Sequence, residues 1–138
     1  MLSHRKLLIG SSLYAPGIGL APSALAVCGN TGKIISAGLC TTPQNLVTSN
    51  GTVVSGATLS TGTNTAYTAS AANALVTNSG VITSTNATET MVLNGAGDSL
   101  VNTGTIINTN PQAYAALAVS QTTPVAGIDN SGLISVRR

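Results

Sequence analysis

Charged side chains are nearly missing from this sequence, at 6% of its 138 residues, and aromatic ones are rarer still, at 2%. An ordinary soluble domain devotes about a quarter of its residues to charge. There is no Trp and no Phe, and the one histidine is His4. A serine or cysteine nucleophile that needs an imidazole base therefore finds none beyond residue 4. The carboxylates Glu89, Asp98 and Asp129 are dispersed, and Lys33 is the only basic residue between the first six positions and the last two. Calcium-assisted proton abstraction from a polysaccharide needs clustered carboxylates and basic groups, which these residues do not supply. No basic patch offers to hold phosphates, so nucleic acid is excluded as a partner. Beyond the N-terminus no apolar run is long enough to span a bilayer.

Thr, Ser, Asn, Gly and Ala fill the space that charge leaves. Such a composition suits either disordered low complexity or a stack of repeated β units. Disorder usually comes with high charge and few β-branched residues. Here Val, Ile and Thr are plentiful, so an all-β fold is expected.

Residues 1–26 read as a signal peptide. His4, Arg5 and Lys6 form a basic start, Leu7 to Leu20 is mostly apolar, and Ala24-Leu25-Ala26 is a small-x-small cleavage site, placing the cut before Val27. Removing that segment leaves Lys33, Arg137 and Arg138 against Glu89, Asp98 and Asp129, three minus three, a net charge of zero. Both cysteines, Cys28 and Cys40, then lie just inside the mature N-terminus. In an exported chain one disulfide between them is expected, against free thiols or a metal site that lacks histidine partners.

The main signal is a repeated phrase. Val76–Ile82 reads VTNSGVI, Leu100–Ile106 reads LVNTGTI and Ile128–Ile134 reads IDNSGLI. The template is aliphatic-x-Asn-Ser/Thr-Gly-x-Ile. It sets Asn78, Asn102 and Asn130 before Gly80, Gly104 and Gly132, and ends on Ile82, Ile106 and Ile134. A fourth copy is Cys28–Ile34 (CGNTGKI), with Asn30, Gly32 and Ile34. A degenerate fifth is Val47–Val53 (VTSNGTV), with Gly51 and Val53. The glycines step by 19, 29, 24 and 28 residues. Periods of about 20 to 30 residues indicate a solenoid, with the irregularity absorbed in loops. Alternating apolar positions flank each corner as two short strands. Glycine at the corner would supply a positive φ. In a parallel β-helix each coil lies about 4.8 Å above the last. Isoleucine then stacks on isoleucine inside, and asparagine on asparagine at the bend, where side-chain amides can bond along the ladder.

The expected architecture is a parallel β-helix of about five coils. Residues 27–44 form a disulfide-pinned cap and first coil, and residues 45–138 the solenoid repeats. Ile34, Val53, Ile82, Ile106 and Ile134 are the expected core stack. Ala66-Tyr67-Thr68, Thr90-Met91-Val92 and Ala113-Tyr114-Ala115 suggest a second strand row, with Tyr67, Met91 and Tyr114 stacked inside. The chain stops at Val136-Arg137-Arg138, straight after a corner, as if cut short. An uncapped last coil would favour end-to-end self-association.

The leader, the early cysteine pair and the repeated Asn-Ser/Thr-Gly-x-Ile corners resemble the N-terminal passenger region of Gram-negative autotransporters. The filamentous haemagglutinin type of exoprotein is a near second. The resemblance implies a right-handed β-helix, export to the periplasm, cell surface or medium, and for many members an adhesive role on host-surface glycans or proteins. The membrane β-barrel that ends such proteins has no counterpart here.

Other motifs yield to structural readings. Gly97-Asp98-Ser99-Leu100 spells a GDSL-esterase block, yet no histidine accompanies it. Asn94-Gly-Ala-Gly-Asp98 resembles one turn of a calcium-binding nonapeptide repeat, which needs tandem copies. An ice-binding Thr-x-Thr row begins at Thr83 and Thr85 but breaks at Ile107 and Arg137. Asn50-Gly-Thr52 and Asn86-Ala-Thr88 match glycosylation acceptors and suit turns. The expected function is a non-enzymatic structural or adhesive surface module without cofactor or metal. The alternative is the front of a β-helical carbohydrate-active or hydrolytic exoprotein whose catalytic residues lie further on.

Overall fold

A computed structural model describes residues 28–138. The expected signal peptide over 1–26 and its cut before Val27 lie outside the described residues. Three parallel sheets run the length of a solenoid of about four turns, and no helix occurs among the described residues. The strands are numbered along the chain. The first sheet holds β1 (Ile34–Ile35), β4 (Asn50–Val53), β7 (Leu75–Asn78), β10 (Ser99–Asn102) and β13 (Gly127–Asn130). The second holds β2 (Gly38–Cys40), β5 (Ala57–Thr61), β8 (Val81–Ser84), β11 (Thr105–Asn108) and β14 (Leu133–Val136). The third holds β3 (Gln44–Leu46), β6 (Tyr67–Ala69), β9 (Glu89–Leu93) and β12 (Ala115–Val119). With four strands in its third sheet, the solenoid falls short of the five full coils expected from five phrases.

Alternation explains the strands. Along β8, β10 and β11 every second residue is buried, while the residues between are only partly so. Inward residues stack in columns, one residue per coil. One five-residue column runs Cys40, Leu59, Ile82, Ile106, Ile134. Burying one such aliphatic side chain is worth about 1.5–3 kcal/mol. Ile134, in the last coil, is only partly buried and packs on the edge of the core.

The three strong phrases stack as the sequence demands. Asn78 pairs with Asn102 and Asn102 with Asn130, while Ile82, Ile106 and Ile134 share one register. Extra residues fall in loops: two between Ile106 and Leu117 relative to the coil below, and two between Leu117 and Ile128.

The two weak phrases do not stack this way. Gly51 lies beside Val76, not Gly80, so Val53 occupies the asparagine place under Asn78. Ile35, not Ile34, lies under Val53. Ile34 faces outward and is 65% exposed, whereas Ile35 is 1% exposed. Asn30 and Gly32 precede the first strand and join no ladder. Their backbone instead closes the bottom of the solenoid: Asn45 N–H donates to the Asn30 carbonyl at 2.9 Å, and Gly32 N–H donates to Gln44 Oε1 at 2.9 Å. A Cys28–Cys40 disulfide pins this segment. A loop of that size is worth up to roughly 3 kcal/mol in the chain-entropy account.

In the third sheet Gln44, Tyr67, Met91 and Leu117 form the inner column. The expected Tyr67–Met91 stack exists. Tyr114 is outside it, 87% exposed, because it precedes β12, whose register sets Ala115 beside Glu89 and Leu117 over Met91. Tyr67 fills the volume that Gly51 leaves empty. A Cβ at Gly51 would run into the Tyr67 hydroxyl, which donates to the Gly32 carbonyl. Burial of that hydroxyl pushes its pKa well above the ordinary phenol range.

Candidate functional site

The feature with the most organised chemistry is the stacked corner between the first two sheets. Asn78 Nδ2 donates to Asn102 Oδ1 at 2.7 Å, and Asn102 Nδ2 donates to Asn130 Oδ1 at 2.7 Å. Asn78 Oδ1 accepts the N–H of Gly80 at 3.2 Å. The backbones interlock in the same way from coil to coil. Thr103 and Gly104 N–H both donate to the Asn78 carbonyl, at 2.9 and 3.1 Å, and Thr105 N–H donates to the Gly80 carbonyl at 2.9 Å. One coil up, Ser131 and Gly132 donate to the Asn102 carbonyl at 3.0 Å each, and Leu133 to that of Gly104 at 2.9 Å.

The glycines of these corners are needed for a reason other than the one expected. Positive φ among glycines occurs at Gly32, Gly38, Gly56 and Gly97, and not at Gly51, Gly80, Gly104 or Gly132. What the last three require is room. A Cβ on Gly80 would lie 2.5 Å from the Ala57 carbonyl oxygen. One on Gly104 would strike the Gly80 carbonyl and lie 2.8 Å from the carbonyl carbon of Ser79. One on Gly132 would strike the Gly104 carbonyl. The coil without the phrase turns differently, through Val54-Ser55-Gly56, with Gly56 at φ 79° and Ala57 N–H returned to the Val54 carbonyl at 3.1 Å. So one bend is made in more than one way: the two lowest coils pass through a positive-φ glycine, Gly38 at φ 113° and Gly56 at φ 79°, and the three upper ones do not.

The carboxylate of Asp98 is wholly buried and already satisfied. Its Oδ1 accepts the N–H of Ala74, one coil below, at 3.0 Å, and its Oδ2 accepts that of Gly95 at 2.8 Å. Both oxygens of the calcium-like NGAGD turn are thus engaged by backbone donors, and the turn ties two coils together. The adjoining GDSL letters are consumed likewise, since Leu100 is buried in the core and Ser99 N–H donates to the Ala74 carbonyl at 2.8 Å. Asp98→Asn would turn an amide N–H₂ toward one of the two donors. We expect it to lower the urea unfolding free energy by about 2 kcal/mol, and an unchanged midpoint would mean that the clamp is not as described.

Elsewhere the polar interior is closed. Ser84 Oγ and Thr90 Oγ1 lie 2.8 Å apart, Thr90 Oγ1 donates to the Ile107 carbonyl at 3.2 Å, and Asn108 Nδ2 donates to the Asn86 carbonyl at 3.0 Å. Among the described residues every buried side-chain nitrogen or oxygen has a partner. Among them, too, no pocket opens and no three His, Cys, Asp or Glu side chains gather as metal ligands would.

The outward rows of the second sheet carry no charged residue. One outward row runs Leu39, Thr58, Val81, Thr105, Leu133, and the next Ser60, Thr83, Ile107, Ser135. Methyl and hydroxyl groups alternate without a regular threonine ladder, so the break expected at Ile107 is present. Of the two glycosylation-like triplets, Asn86 is tied through Nδ2 to Thr65 Oγ1 at 3.1 Å and to the Glu89 carbonyl at 3.2 Å, while Asn50 is exposed. Comparison of the chain with protein-family models, with curated proteins and with solved structures finds no match.

Proposed function

We propose that this chain is an exported, non-enzymatic structural or adhesive module, built as a right-handed β-helix and forming part of an autotransporter-like passenger at a Gram-negative cell surface. The observation that carries the reading is the solenoid itself, whose polar groups are spent on stacking coil upon coil. The Asn78–Asn102–Asn130 ladder and the Asp98 clamp each hold coils together with groups that a catalyst would need free. Right-handed winding follows from the strong preference of parallel crossovers for that hand. The Cys28–Cys40 disulfide supports an oxidising compartment outside the cytoplasm. The uncharged outward rows of the second sheet offer hydroxyl and methyl groups to a host glycan or protein.

The test pairs two assays on the purified chain. Saturable binding to immobilised host-surface glycans or matrix proteins is expected, weakened by Thr83→Lys on the outer face of the second sheet. Ester hydrolysis is expected to stay at the buffer rate, in the native chain and in Ser99→Ala alike. A hydrolytic activity that Ser99→Ala abolishes would overturn the non-enzymatic reading, and no binding to either ligand class would overturn the adhesive one.

A further inference from the structure

The turn from β9 to β10 contains an Asn-Gly peptide bond with a polar group on each side. Asn94 is exposed and Gly95 is buried. The Gly95 N–H donates to Asp98 Oδ2 at 2.8 Å. The Asn94 carbonyl, on the same peptide unit, accepts from Thr123 Oγ1 of the coil above at 3.1 Å. The Asn94 N–H is tied to the Ala69 carbonyl of the coil below at 2.8 Å. The other Asn-Gly pair, Asn50-Gly51, is built differently, because Gly51 lies within β4 in register with Val76 of β7. These contacts bear on one reaction. In an Asn-Gly pair the glycine nitrogen can attack the side-chain amide carbon of its neighbour and close a cyclic imide, an intramolecular step. An amide nitrogen is a poor nucleophile while it keeps its proton. A carboxylate oxygen at hydrogen-bond distance from that proton is placed as a general base. A hydroxyl donating to the carbonyl of the same peptide stabilises the charge that collects on oxygen as the proton leaves. Glycine keeps the attacking nitrogen uncrowded, and a side chain there would also strike the Ala71 carbonyl.

We propose that Asn94 is a self-modification site, at which the folded chain converts its own asparagine to aspartate and isoaspartate with Asp98 as the base. Asp98 Oδ2 takes the Gly95 proton as the bond from nitrogen to Asn94 Cγ forms. It then returns a proton to the departing side-chain nitrogen, which leaves as ammonia. Water opens the imide. Breaking the new bond to Cγ gives aspartate. Breaking the original peptide bond gives isoaspartate, which lengthens the backbone of the turn by one carbon. The balance is one amide and one water consumed, one carboxylate and one ammonium formed. Asp98 is committed to N–H groups of its own chain, so the reaction is a single event in each molecule and turns over no outside substrate. Each event adds a negative charge to the turn that ties two coils together.

The purified chain, native or unfolded in guanidinium chloride, is incubated at neutral pH and deamidation is followed site by site by peptide mass spectrometry. Unfolded, Asn94 and Asn50 should convert at similar rates. In the native chain Asn94 should convert at least about tenfold faster than Asn50, and faster than it does unfolded. Asp98→Asn should slow the native reaction at Asn94 at least about tenfold. Thr123→Val, which leaves both Asp98 contacts in place, should slow it by about threefold. If Asp98 only restrained the turn, its replacement would free the nitrogen and speed the reaction, and that result overturns the proposal. A native Asn94 that converts no faster than Asn50 overturns it as well. Should Asp98→Asn lose its native circular dichroism, Thr123→Val decides, and an unchanged rate in that variant sinks the assignment.

Discussion

Gly104→Val should leave the chain largely unfolded. The added side chain would meet the Gly80 carbonyl and lie 2.8 Å from the Ser79 carbonyl carbon and 2.9 Å from the Gly80 nitrogen. These are backbone atoms of the coil below, themselves held in the ladder, so no rotamer change relieves the clash. Overpacking a tight interior costs about 1–3 kcal/mol when neighbours can shift, and here they cannot. The loss should exceed 3 kcal/mol, a large part of an ordinary domain's stability of about 5–15 kcal/mol. Two milder variants separate the causes. If left-handed backbone were the need, Gly104→Asn would be tolerated better than Gly104→Ala, because Asn accepts that conformation most readily after glycine. Close approach makes Asn at least as harmful as Ala. Thermal melts of the three variants, followed by circular dichroism, decide between these accounts.

Asn102→Leu should cost about 2–3 kcal/mol. Asn102 sits in the middle of the ladder and is fully buried. Its loss leaves the buried Asn78 amide with only the Thr105 carbonyl, at 3.3 Å, and takes the donor from the Oδ1 of Asn130, which is exposed. Unpaired buried groups carry the full desolvation penalty, whereas replacing both partners by apolar groups of similar shape can be nearly neutral. The chain already contains an apolar version of the same column, Ile35 beneath Val53. Replacing Asn78, Asn102 and Asn130 together by Val should therefore cost far less than the sum of the three single changes. Additive losses in denaturant titrations of the single and triple variants would contradict the ladder as the unit of stability.

The asparagine column also separates specificity from stability. Hydrophobic residues at that place would stack in any vertical order. Amide groups bond only to amides in the same place, one coil away, and thereby hold the register of the upper coils. In the lower coils the same service falls to Tyr67, whose hydroxyl reaches the Gly32 carbonyl across the space that Gly51 leaves open. The early glycines and the tyrosine are a matched set. That pairing is invisible in the sequence, because Gly32 and Gly51 stand 35 and 16 positions before Tyr67 and share no pattern with it.

The letters alone were enough for an all-β solenoid of parallel strands, for the stacking of Asn78 on Asn102 on Asn130 and of Ile82 on Ile106 on Ile134, and for the Cys28–Cys40 pair. Each rests on a phrase repeated without slippage or on a count that admits one solution. Assembly in space decided what the weak phrases could not: Ile35 inside and Ile34 outside, Gly51 beside Val76, Leu117 rather than Tyr114 over Met91, and Gly80, Gly104 and Gly132 required for contact distance where only Gly32 among the phrase glycines takes the expected positive φ. The physical reason is the two-residue period of a strand. A shift of one position turns every side chain to the opposite face, so where local letters are degenerate, register is set by the coils above and below.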